Sequence, residues 1–512
     1  MKRFVSMFLA IVMLLSVLSG CGSKEPAQQQ GEAAEETEVR NDVIVAMGQE
    51  PASTSAIFAT SASAYLISKH FYDTLIVKDE NGDYQPSLAK SWEIVDDGAA
   101  IIFELRDDVK FHNGDLMTAA DVVFSFNTGI RNGWTDSLTG AMENMEKVDE
   151  THVKLNLMGV YAPALECVAQ EPCHIFQKAD YEEKGEDLLS RNPMGTGPYK
   201  FVEWSTGDHI SMEVNKDYFG ETAAIENVTF KFYSNKSTAA IALENGEVDV
   251  LLDPDPVDYE RLESDEKLQF KTTPAMTVTF AYLSGEGIFA EDRNLRLAVA
   301  HAIDKEAVLL ATFEGYGEIA NAVFPYGTLG VSEDYAPPQY DPEKAKEYMA
   351  KSNHPDGFEL TIQVPSDNVY SKPAEIVQSN LAEIGITLTL EKMETNAWFA
   401  DVLMMGEFEM MPVTFSTSFF DIDYYYDMFT TNGGQNFPKL ADPALDEAFN
   451  TNRYSTDPAE RETAAAEAIR IMGDEAYVVP MCTKYQCVAA NSGLKNVEAI
   501  ATGLYSAYAW SW

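Results

Sequence analysis

The chain has 512 residues, enough for two or three hydrophobic cores, since single cores stop growing at about 250–300 residues. Its 82 aspartates and glutamates stand against 36 lysines and arginines, and a surface with a formal net charge of −46 repels phosphate backbones and excludes nucleic-acid binding. At 46% hydrophobic and 11% aromatic, the composition is that of a folded chain and excludes a largely disordered one.

The N-terminus reads as an export signal. Lys2 and Arg3 precede an apolar run from Phe4 to Leu18, too short for a comfortable membrane span and suited to a signal peptide. The run closes on Leu18-Ser19-Gly20-Cys21, which resembles a bacterial lipobox. That resemblance implies that residues 1–20 are cut away and that the Cys21 thiol carries a diacylglyceryl anchor. Residues 21–40, rich in Gln, Glu, Ala and Ser and lacking an apolar period, read as a flexible tether. No later segment has 18 consecutive apolar residues, so the expectation is a body outside the membrane, held there by its lipid.

Residues 43–47, "VIVAM", form a short strand ending at Gly48. "SWEIVDDGAAIIFELRDDVKF" alternates on both sides of Asp97-Gly98, a hairpin signal, and Thr118 with Asp121 can open a helix over "TAADVVFSFNTGIR". "NPMGTGPYKFVEWSTGDHISMEVN" supplies two more alternating strands. "STAAIALENGEVDVLL" reads as a helix, with Gly246 just past its end, delivering a strand.

In the second half, "RNLRLAVAHAIDKEAVLLATF" places Leu295, Val299, Ala302, Ile303 and Leu310 on one helical face. "FELTIQV", "PAEIVQSNLAEIG" with Pro373 at its start, and "ITLTLEKM" make a β-α-β unit with parallel strands. In such sheets ligands sit on loops beyond the carboxyl ends of the strands. The pattern predicts two α/β lobes plus an α+β module over 71–185.

Exported cysteines at close spacing, Cys167 with Cys173 and Cys482 with Cys487, permit disulfides. The intervening "TKYQ" would suit a hairpin, but four cysteines allow three pairings and can equally stay free. Zinc-type spacing is absent. There is no GxSxG, HExxH or GxxxxGK[ST], and the seven histidines are scattered. Gly195-Thr196-Gly197-Pro198 lacks the lysine of a phosphate loop and reads as a structural turn, and His112 as a turn histidine. No constellation calls for a metal, a cofactor or catalysis.

Several segments occur in an order that resembles a known family: "YDTLIVKDENGDYQPSLAKSWEIVDDGAAIIFELRDDVKFHNGDLMTAADVVFSF", "NPMGTGPYKFVEW", "LENGEVDVL", "RNLRLAVAHAIDKEAV", "YDPEKAKEYM" and "NLAEIGITLTLEKMETNAWFADVLMMGEFEM". Over roughly residues 41–500 the chain is similar to the family 5 solute-binding proteins of ABC transporters, the peptide- and nickel-binding group. The resemblance implies an α/β, two-lobed fold of the periplasmic-binding-protein type (type II, cluster C-like) with an extra inserted domain. Lobe I would comprise 41–70, 186–270 and 485–512, the insert 71–185, and lobe II 271–484. It also implies a monomer without cofactors, closing on a small solute and handing it to a permease served by separate ATPase subunits.

Peptide-binding members anchor the peptide ammonium with an aspartate three positions before the acid of a "DP" or "EP" pair. Here Asp421-Ile422 takes the place of that pair, and the anchoring position falls on Ser418, inside "SFFDIDYYYDMF". The resemblance leaves Asp421 or Asp423 to receive the amine, or a solute that is not a free peptide; a solvated or hinge-capping role competes for both. Glu50 to Ser53 matches the other pocket wall. Tyr282, Trp398 and Phe415 are further candidates, against core packing. Oligopeptides are the expected solute, with metal chelates or small cationic solutes as the alternative and an extracellular lipoprotein hydrolase as a remote one.

Overall fold

The computed structural model describes residues 40–512 apart from 56, 58–60, 80–81 and 133–140. The signal peptide, Cys21 and the tether lie outside the described residues. At the centre of the first lobe is Asp42–Met47, with Val43, Val45 and Met47 buried on one face and Ala46 on the other. It pairs in parallel with Asn227–Phe232 on one side and Val250–Leu252 on the other, and continuous apolar runs suit such doubly covered strands. The hairpin Tyr199–Ser205 and His209–Val214 extends the sheet outward. Helix Lys236–Glu244, capped by the Asn235 side chain, delivers Val250–Leu252, and Gly246 takes the left-handed turn (φ 73°) that its place after the helix predicts.

Strand Val478–Asn491 belongs to both lobes. Its last residues pair with Val250–Leu252 and with Leu268–Pro274, where Leu268 lies opposite Asn491 and Pro274 opposite Tyr485. Its first residues pair with Thr277–Leu283, with Tyr282 opposite Val478 and Thr279 opposite Cys482. Leu268–Pro274 runs on through Ala275 and Met276 into Thr277–Leu283. The chain therefore crosses between the two sets of pairings at 274–277 and again at 482–485, on hydrogen-bonded neighbours.

In the second lobe Thr277–Leu283 is buried at every residue and flanked by Met410–Ser416. Phe358–Pro365 and Ile386–Met393 pair in parallel around helix Asn368–Ala382, the expected β-α-β unit. That helix begins five residues before Pro373 rather than at it. Proline removes the donor for the Val369 carbonyl, and the Thr414 hydroxyl supplies a replacement at 3.3 Å. The single helix expected over 293–313 is two, Arg293–Ala302 and Lys305–Phe313, because Asp304 accepts from the Ala307 amide and caps the second. Leu295, Val299, Ala302 and Ile303 are buried as expected, whereas Leu310 falls outside the apolar face and is 63% exposed.

The inserted module is an antiparallel sheet in the order Ala89–Val95, Ala100–Leu105, His152–Leu157, Met142–Lys147, with helix Ala119–Asn132 packed on it. Asp97-Gly98 makes the predicted hairpin, and the Thr118 hydroxyl donates to Asp121 at 2.5 Å at the helix start. Gly195-Thr196-Gly197 is a structural turn. A Cβ at either glycine would collide with the backbone of Phe71, and the Thr196 hydroxyl donates to Asp73 at 2.7 Å. His112 stands against this turn, its Nε2 3.1 Å from the Gly197 carbonyl.

All four described cysteines are free and buried. The hairpin that would join Cys482 to Cys487 is absent: both lie on the continuous strand Val478–Asn491, five positions apart, so their side chains point to opposite faces. Burial pushes the Cys173 and Cys482 thiols up to about 12.

The C-terminal segment returns to the first lobe through His70, on helix Ala62–Phe71. His70 Nδ1 stands 3.0 Å from the Leu66 carbonyl and Nε2 accepts from the Ala507 amide at 3.2 Å, which fixes a neutral ring protonated on Nδ1. Burial, aided by Lys69, lowers its pKa to about 3. The unfolded chain therefore binds a proton between pH 6.5 and 3 that the folded chain refuses, so the contribution is intact above pH 6.5 and declines below it. Chemical denaturation at pH 7 and pH 4.5 should show His70→Asn losing about 2–3 kcal/mol less than the parent over that interval. Equal losses would contradict this assignment.

Candidate solute cleft

A cleft of about 970 Å³ lies between the lobes. Its first-lobe wall is built from loops at the carboxyl ends of the central strands: Gly48 and Gln49 after Asp42–Met47, Ser234 and Lys236 after Asn227–Phe232, and Asp253–Val257 after Val250–Leu252. Asn368, Tyr370 and Lys372 follow Phe358–Pro365 on the other side, with Thr312–Glu314 beside them. The hinge residues Met276, Thr277 and Lys484–Gln486 close the bottom. This is the placement expected of open α/β sheets, where strand ends expose loops that need no packing role. The volume is at the upper end of the roughly 300–1,000 Å³ typical of small-molecule sites.

Tyr259 from the first lobe meets Tyr316 edge-to-face at 4.6 Å. Asp253 adopts a left-handed backbone (φ 47°) at the end of its strand, and its two carboxylate oxygens accept from Lys236 Nζ at 2.7 Å and Lys484 Nζ at 3.1 Å. Burial acts to raise this carboxyl, but the two lysines more than offset it and hold it below the usual carboxylate range. Across the cleft Lys372 stands 3.9 Å from Glu314. Among the described residues no group of three or more His, Cys, Asp or Glu side chains is arranged to hold a metal ion.

Residues 83–437 match the family described as bacterial extracellular solute-binding proteins, family 5, middle region. The oligopeptide-binding protein AppA of Bacillus subtilis is 28% identical over 79% of this chain and 81% of its own length. Heme-binding protein A of Haemophilus influenzae is 27% identical over 75% of this chain and 76% of its own. The structure of the periplasmic binding protein DppA from Helicobacter pylori in complex with peptide STSA superposes with a TM-score of 0.77 at 26% identity, covering 92% of this chain and 98% of that one.

The chain belongs to family 5 of the bacterial extracellular solute-binding proteins. Members of this family are substrate-binding transport proteins, and they share the two-lobed fold described above. The two curated relatives carry different solutes in their names, so membership alone leaves the cargo of this solute-binding protein to its own residues.

None of the eight candidate contact residues singled out in the sequence lines this cleft. Glu50 accepts from Trp204 Nε1 at 2.7 Å and from the Gly207 amide at 3.1 Å, tying its loop to the neighbouring hairpin. Ser53 is buried and accepts from the Ser55 amide at 2.9 Å. Tyr282 and Trp398 are fully buried in the second-lobe core, and Trp398 Nε1 donates to the Gln363 carbonyl at 2.9 Å. Phe415 stacks on Phe280 at 6.0 Å within the same cluster. Ser418 donates to Gln170 Oε1 at 3.2 Å and lines a smaller cavity of about 290 Å³ that shares Thr502 with the cleft.

Segment Ser418–Phe429 is a seam between the second lobe and the inserted module. Phe419, at 0% exposure, belongs to the module's own core, while Ile422, Tyr425 and Phe429 belong to the second lobe's. Asp421 is ion-paired with Arg461, and burial still raises its carboxyl to about 6. Asp423 accepts from Arg453 Nε at 2.6 Å, Arg453 Nη2 at 3.2 Å and the Tyr161 hydroxyl of the module at 2.7 Å. With arginines already in place, neither aspartate is left to receive a solute ammonium.

Lys236, Asp253 and Lys484 belong to no motif visible in the sequence. Their signal was positional: "LLDPDPV" follows a short apolar run, where the strand-end rule places ligands.

Removing one partner of a buried ion pair leaves the other uncompensated. Asp423→Ala should lower the free energy of unfolding in guanidinium by about 3–5 kcal/mol. An unchanged midpoint and slope would show that the seam carries no such load.

Proposed function

We propose that the chain is the solute-capturing subunit of an ABC importer, held at the bacterial membrane by a lipid on Cys21 and delivering oligopeptides to a permease. The observation that carries this is the inter-lobe cleft of about 970 Å³, walled by strand-end loops of both lobes and floored by the hinge. Lobe I would comprise 41–70, 186–270 and 485–512, and lobe II 271–484, with 71–185 inserted; the sheet pairings on either side of 274–277 and 482–485 support that division.

A solute touching both walls stabilises the closed arrangement, and occupancy is thereby converted into a shape that a permease can recognise. Met410–Ser416 supports a peptide in particular. It is the last strand of its sheet, paired among the described residues only with Thr277–Leu283, and Thr414, Ser416 and Thr417 line the cleft. An extended peptide alongside this edge can exchange main-chain hydrogen bonds, which give affinity without selecting side chains.

Native mass spectrometry of protein purified from its host should find co-bound peptides, and calorimetry with a pool of three- to six-residue peptides should detect binding. Binding of nickel chelates or polyamines but of no peptide would overturn the peptide reading. Cys21→Ala should move the protein from the membrane fraction into the soluble fraction; retention on membranes would refute the lipid anchor.

A further inference from the structure

We infer that Lys236 and Lys484, bridged by Asp253 on the cleft wall, form the seat for a carboxylate group of the solute. This rests on the peptide reading above and deepens it by naming an anionic group and its partners. The cluster joins two cations to one anion. Lys236 gives one hydrogen to Asp253 Oδ2 and Lys484 one to Asp253 Oδ1, so both carboxylate oxygens are engaged while each ammonium keeps donors to spare.

Neither lysine has a second acid within ion-pair distance among the described residues, which leaves one positive charge uncompensated. The three side chains are 39%, 27% and 32% exposed for Lys236, Lys484 and Asp253, and all three line the cleft. A simple tie between the first lobe and the hinge strand would need one lysine. The second is surplus to that task and completes a fork of donors of the kind that receives a carboxylate.

Position adds to the chemistry. Lys236 opens a first-lobe helix and Lys484 sits where Val478–Asn491 passes between the lobes, so the pair stands at the base of the cleft, close to the axis of closure. A carboxylate held there is fixed before the lobes meet, and the rest of the solute is then presented to Tyr370 and Thr414 on the opposite wall. The second lobe contributes no competing free acid from its seam, because Asp421 and Asp423 are held by Arg461 and Arg453.

Calorimetry on the full chain with three peptide pools of equal length distinguishes the sources of the carboxylate. The first has free C-termini and no acidic side chains, the second is the same pool C-terminally amidated, and the third is amidated but carries one glutamate. The expected result is at least tenfold tighter binding of the first or third pool than of the second; whichever gains identifies the carboxylate used. In Lys484→Met and Lys236→Met the ratio of affinities between the pools should fall to about one, whereas a merely structural lysine would weaken all three pools alike and leave the ratio unchanged. Equal binding of all three pools, or an advantage that survives both substitutions, overturns the assignment and leaves the peptide reading standing. If no pool binds, the peptide reading fails and this inference fails with it.

Discussion

The structure depends on strand Val478–Asn491 being shared by two sheets. Its backbone hydrogen bonds serve Thr277–Leu283 at one end and Leu268–Pro274 with Val250–Leu252 at the other, so the lobes are joined by β-pairing rather than by a loose linker. The two crossings, at 274–277 and 482–485, lie side by side, and the Ala275 amide donates to the Lys484 carbonyl at 2.9 Å, so the connection itself is hydrogen-bonded. The cleft is where it is because those crossings form its base and the strand-end loops of both lobes rise on either side of it. Lys484 and Asp253 meet there, so the charged floor of the cleft is part of the hinge itself.

A second constraint acts away from the cleft. The inserted module receives Phe419 from the second lobe into its own core, and Asp423 joins Tyr161 of the module to Arg453 of the second lobe. Buried ion pairs of this kind add little net stability over apolar packing, but they penalise any alternative register, because a slipped arrangement strands a charge. The segment's mixture of aromatics and aspartates is the signature of a seam: the rings supply two cores at once, and the carboxylates answer arginines on the second lobe's helices Pro443–Tyr454 and Pro458–Asp474.

Much of the fold was legible because local patterns and tertiary demands agree. Alternation flanking Asp97-Gly98, the helix ending before Gly246 and the β-α-β unit around Asn368–Ala382 each had one favourable solution. Where expectation and structure differ, a single side chain decides. Asp304 caps a new helix and breaks the periodicity through Leu310, and the Thr414 hydroxyl satisfies the carbonyl that Pro373 leaves open. The site was less legible. Asp421 and Asp423 read as available acids because Arg453 and Arg461 lie 30 and 40 positions away, on packed helices. Lys484 reaches Asp253 across 231 positions, beyond the reach of any spacing rule, and Lys236 joins them from a separate helix.

A crystal structure of the protein with its co-purified solute would show where cargo is held. Solute density is expected in the cleft, in contact with the Asp253–Val257 loop on one side and with Tyr370 or Thr414 on the other. Density that touches only one lobe, or that lies outside the cleft, would contradict this expectation.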